Sequence, residues 1–78
     1  MNLLNRIDPE RNMKRWYVVT VQPTLLDDCS VVCGWGRKGT AQQQWRALPV
    51  GTVEEAQGMA QQIVERKRGR GYEVVERA

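Results

Sequence analysis

Two thiols and a set of cations are the groups here that could do chemistry, and their types limit that chemistry. Cys29 and Cys33 cannot complete a four-sulfur zinc site, and no histidine is present to complete a mixed one. The same lack of histidine excludes Ser-His-Asp and Cys-His catalysis. Four residues of one strand span about 13 Å, too far for a disulfide unless the chain turns between the cysteines. Neither thiol has a basic sequence neighbour that would make it a reactive thiolate, so both are expected to be reduced and dispensable. No P-loop and no Gly-rich fingerprint after a strand occurs, so the expectation is no enzyme, no cofactor and no metal. What remains is cationic. Arg37 and Lys38 lie between glycines, where solvated turn residues are common, and Arg66, Lys67, Arg68 and Arg70 form a basic cluster. That cluster offers sequence-independent attraction to phosphate, or compensates a helix dipole.

The elements that must position these groups fit into one small domain, because 78 residues bury about 60–65% of their unfolded surface. Apolar residues make up 41% and charged residues 27%, with both signs interspersed, which is the composition of a folded module. Twelve Lys and Arg against nine Asp and Glu give a net charge of +3, which favours anionic partners without demanding them. Leu3–Ile7 reads as a short opening strand ended by Asp8-Pro9. Trp16–Val21, rich in aromatic and β-branched residues and stopped by Pro23, is a strand with Tyr17, Val19 and Val21 on one face. Leu25–Asp28 reads as a connecting loop, Ser30–Trp35 as a second strand of a hairpin, and Gly36–Thr40 as a turn. Gln42–Leu48, carrying Trp45, is a more exposed strand.

At Thr52 the period changes. Val53, Ala56, Met59, Ala60, Ile63 and Val64 recur at three and four, the stripe of an amphipathic helix over Thr52–Arg68. Thr52-x-x-Glu55 is a capping-box pattern, Arg66-Lys67-Arg68 suit the negative end of the dipole, and Gly69 is the expected stop. Gly58 weakens the helix unless close packing on the sheet requires it. Tyr72–Glu76 is a final strand. The sequence therefore predicts an α+β fold, an antiparallel sheet of four or five strands packed on a single helix.

Trp35-Gly36-Arg37-Lys38-Gly39-Thr40 resembles the segment for which the WGR domain is named, a module of poly(ADP-ribose) polymerases and of short bacterial proteins. Asn12-Met13-Lys14-Arg15-Trp16-Tyr17 is similar to the family's Asn and Lys ahead of an aromatic-Tyr strand. Lys67-Arg68-Gly69-Arg70-Gly71-Tyr72 is similar to its basic helix end running into Gly-Tyr. The resemblance covers roughly residues 12–76 of a single domain spanning 1–78. The chain departs from the pattern at Lys38, where an aliphatic residue is common, at Ala41-Gln42, which lack a second glycine, and at Gly34, which replaces a charge.

The resemblance implies a non-catalytic grip on DNA ends or nicks through a Trp-Gly-Arg turn. Trp35 is then a stacking platform, Arg37 its support, and Asn12 and Lys14 neighbours of a terminal phosphate. Lys38, Arg68 and Arg70 add charge, and Tyr72 faces the nucleic acid. Against this, Val31, Cys33 and Trp35 share parity in a regular strand, which makes Trp35 a core residue on an apolar face. Asn12 can equally be a turn residue and Tyr72 an edge-packing one. The expected partner is DNA, at ends, nicks or single strands. The alternative is a protein-interaction adaptor on the same fold. Neither a membrane nor a small-molecule substrate is expected, since no run approaches the roughly 20 apolar residues that cross a bilayer. Asn2, Asn5 and Arg6 at the amino terminus do not resemble a signal peptide, and the expected location is cytoplasmic.

Overall fold

A computed structural model describes residues 1–22 and 29–77. Five strands, β1 (Asn2–Asp8), β2 (Met13–Gln22), β3 (Ser30–Arg37), β4 (Gln43–Pro49) and β5 (Glu73–Arg77), surround one helix in the chain order, α1 (Val53–Arg68). The strands form a single sheet in the order β4-β3-β2-β1-β5, antiparallel at every junction. This is the expected α+β arrangement of one antiparallel sheet against one helix. The strand at the amino terminus lies inside the sheet, between β2 and β5, so the sheet begins before residue 12. The expected loop at Leu25–Asp28 lies outside the described residues.

Alternation decides what each face buries. Leu4 pairs with Tyr17, Tyr17 with Trp35, Val19 with Cys33 and Val21 with Val31, so these side chains share the face under the helix. Leu4, Val19 and Val31 are fully buried there, against Ala56, Ala60 and Val64 of α1. Small alanines at 56 and 60 let the helix axis approach the sheet closely. Met59 and Ile63 flank this stripe, but Val53 does not join it: at the first turn it is 51% exposed. Gly58 faces open space with no atom near its missing Cβ, so packing does not account for it.

Thr52 caps the helix, its hydroxyl accepting from the Glu55 amide at 3.1 Å. The other end stops at Gly69, as expected. Gly69 stays right-handed, and the left-handed residue is Gly71 at φ 97°. Between them the Lys67 carbonyl accepts from both Arg70 and Tyr72 amides, which swings the chain back toward β1.

A second correction concerns the Trp-Gly-Arg segment. It is strand, not turn: β3 runs through Arg37, with Gly36 paired to Trp16 and Arg37 to Arg15. The turn begins only at Lys38. Two glycines do not end this strand because its neighbours extend along its whole length and the space above each glycine is filled by an indole from the next strand.

Candidate nucleic-acid interface

On the helix side, where β2 begins and β3 ends, aromatic and cationic groups converge. Tyr17 and Trp35, cross-strand partners, stack with ring centroids 5.9 Å apart and planes 13° apart. Tyr72, entering from the post-helix turn, meets Tyr17 edge-on at 6.1 Å. Lys67 is one helical repeat beyond Ala60 on the buried stripe, and its Nζ lies 4.5 Å from the Tyr17 ring centroid and 5.8 Å from that of Tyr72. Burial lowers the Lys67 pKa, and the Arg70 and Arg66 charges act in the same direction. Burial, followed by a hydrogen bond with the Cys33 thiol, holds the Tyr17 hydroxyl protonated well above its ordinary range. Both cysteines are free and buried.

An open cavity of about 530 Å³ lies over these rings, walled by Trp35, Tyr72, Lys67, Arg15, Arg37 and Gln44. Arg15 and Arg37 are direct cross-strand partners, two guanidinium groups on one face of an antiparallel pair. Like charges so placed repel. Ion pairs among the described residues join Arg11 to Asp8 and Arg68 to Glu65, so no described carboxylate neutralises Arg15 or Arg37. Arg37 is instead held by its Nη2, which donates to the Asn12 carbonyl at 3.1 Å. Asn12 can offer that carbonyl because it adopts a left-handed conformation, φ 51°, between a 3₁₀ turn at Pro9–Arg11 and β2. The Thr40 hydroxyl donates to the Arg37 carbonyl at 3.0 Å and accepts from the Gln42 amide, fixing the following turn.

Of the residues singled out from sequence, the structure brings Trp35, Arg37 and Tyr72 together, with Asn12 joined through its carbonyl. Trp35 is half-buried: it packs on the core through Tyr17 and also walls the cavity. Arg70 is close enough to act on the Lys67 charge. Lys14 and Lys38 are adjacent, but strand parity puts Lys14 on the opposite face of the sheet, and Lys38 follows it there. Arg68 pairs with Glu65 and stands in a separate concavity with Glu73 and Glu76. The sequence did not single out Tyr17, Arg15 or Gln44 as members of the site, and it marked Lys67 only as one of a basic cluster. The parity of β2 carries the signal for Arg15 and Tyr17; Lys67 could have been found as the next position of the apolar helix stripe.

An antiparallel sheet on one helix, with an aromatic and cationic cavity at one end, defines a small α+β domain. The chain belongs to the WGR domain family, whose model matches residues 1–78. It is 36% identical over 69 residues to an uncharacterized protein, y4dW, of Sinorhizobium fredii. That alignment takes in 88% of this chain and 33% of the relative, so the chain spans about a third of the curated relative it matches. No solved structure matches it significantly.

Proposed function

We propose that this domain is a non-catalytic module that grips nucleic acid at ends or nicks without reading base sequence. The uncompensated Arg15–Arg37 pair beside Trp35 and Tyr72 carries this reading. Guanidinium groups suit phosphate, and an indole or phenol face accepts any terminal base or sugar. Ahead of its last turn the exposed side of α1 presents Glu54, Glu55, Gln57, Gln61, Gln62 and Glu65, with exposed cations only at Arg66 and Arg68, which is unsuited to a groove-reading helix and favours recognition of an end. Two buried free thiols support a cytoplasmic location. No helix among the described residues is long and apolar enough to cross a membrane.

Titrating blunt, nicked, 5′-phosphorylated and single-stranded oligonucleotides at two salt concentrations tests the proposal. Binding should weaken steeply with salt, and Arg15→Gln or Arg37→Gln should each reduce the salt slope by about one unit per lost phosphate contact. Salt-insensitive behaviour, with no binding to any oligonucleotide, would overturn it in favour of a protein partner on the same fold.

A further inference from the structure

The sheet face away from α1 is covered by no element among the described residues, and it is built differently from the helix face. There β3 presents Gly34 and Gly36, each directly paired with a tryptophan of a neighbouring strand, Trp45 of β4 and Trp16 of β2. A Cβ at Gly34 would collide with three consecutive carbons of the Trp45 ring, the mark of a ring lying face-down on the glycine backbone. A Cβ at Gly36 would stand 3.0 Å from the Trp16 ring and collide with the Gln42 carbonyl. The two indoles lie 6.0 Å apart at 51°, and Trp45 remains 56% exposed. Its Nε1 donates to the Gln43 Oε1 at 3.4 Å, which holds the ring over β3.

Cations border these rings. Lys38 donates its amide to the Lys14 carbonyl at 2.8 Å. With the Asn5 amide turned to satisfy both its bonds, the Asn5 oxygen accepts from Lys38 Nζ at 3.1 Å, and Asn5 is the cross-strand partner of Trp16. Outward-facing positions of β1 to β4 carry no carboxylate; those of this face, Glu73 and Glu76, stand on β5, at the opposite edge from Trp45.

We propose that this face is a second nucleic-acid surface, on which bases of a single strand stack on Trp45 and Trp16 while Lys14 and Lys38 meet its phosphates. Sequence-tolerant stacking on sheet-borne aromatics beside lysines is a recurring solution for single strands. A protein partner would fit the indoles but not the lysines, which interface cores disfavour. The surface goes beyond the end-binding cavity: Trp16 and Gly36 also border that cavity, but Trp45, Lys14 and Lys38 do not, and Arg15, Arg37 and Trp35 point the other way.

The test uses a dye-labelled ten-nucleotide oligothymidylate and, in parallel, a blunt 5′-phosphorylated duplex. Trp45→Ala should weaken oligothymidylate binding about 5- to 150-fold, the loss of one stacked base. Lys14→Gln with Lys38→Gln should weaken it and reduce its salt slope by up to about two units, and this pair serves even if Trp45→Ala fails to fold. Both sets should leave duplex binding within about threefold, whereas Arg37→Gln should weaken the duplex alone. Oligothymidylate binding that is absent, or indifferent to these variants, would overturn the proposal. So would a dimer in sedimentation that Trp45→Ala dissociates while the wild-type chain ignores the oligonucleotide. Duplex binding that ignores Arg15→Gln and Arg37→Gln while Trp45→Ala abolishes single-strand binding would sink the cavity reading and leave this one standing.

Discussion

Lys67 and Tyr17 touch each other and titrate with opposite consequences. Burial lowers the Lys67 pKa, so the folded chain holds that proton less tightly than the unfolded chain. The group therefore favours folding more as pH rises toward the ordinary lysine value of 10.5. A bound phosphate reverses the shift, so binding draws in a proton. Affinity for a 5′-phosphorylated duplex should fall as pH rises through the depressed Lys67 value, below the range where exposed lysines titrate. Lys67→Arg, charged throughout, should flatten that profile in anisotropy titrations between about pH 7 and 10. Tyr17 has its pKa raised, so its contribution to stability is complete below its ordinary value of 10.0 and is lost as pH rises through the higher folded value. Tyr17→Phe should abolish that alkaline loss in thermal melts.

At the scale of elements, α1 combines an effective start with a weak middle. Thr52 and Glu55 form half of a capping box: the Thr52 hydroxyl accepts the Glu55 amide and donates to the Glu55 carboxylate at 3.2 Å. Thr52→Ala should cost about 1 kcal/mol in urea unfolding. Gly58→Ala should stabilise by up to about 1 kcal/mol, since an added methyl meets no atom and the backbone entropy is reduced. β3 behaves in the opposite way. There the glycines are required by the indoles lying on them, so Gly34→Ala should destabilise and expose Trp45, read as a red shift in its fluorescence. The Trp-Gly-Arg pattern thus serves both faces of one strand: its first and third residues wall the cavity, and the glycine between them admits Trp16.

For the whole molecule, stability depends on a strand that the local sequence marks only faintly. Leu4 of β1 is fully buried and pairs with both Tyr17 and Val74, joining the hairpin strands to the last one. Leu4→Ala should cost about 2–5 kcal/mol, enough to unfold much of a domain this small, as a urea titration would show. The described residues form a single core cluster, which leaves nothing to compensate for the cavity.

The helix, its caps and the strand tendencies could be read directly from the residues, because a 3.6-residue period, a capping threonine and an alternating run are short-range properties. The class of fold followed from their order. Register and sheet order did not, since both are set by pairings between residues far apart in the chain. Only those pairings bring Arg15 and Arg37 together on one face and Lys14 and Lys38 together toward the other, although Lys14 is next to Arg15 and Lys38 next to Arg37 in sequence. Only the return of the chain at Gly71 brings Lys67 and Tyr72 onto Tyr17, fifty residues and more earlier. Trp35 also depended on that packing: strand parity alone made it a core residue, and the tertiary structure leaves it half-buried, resting on Tyr17 and open to the cavity.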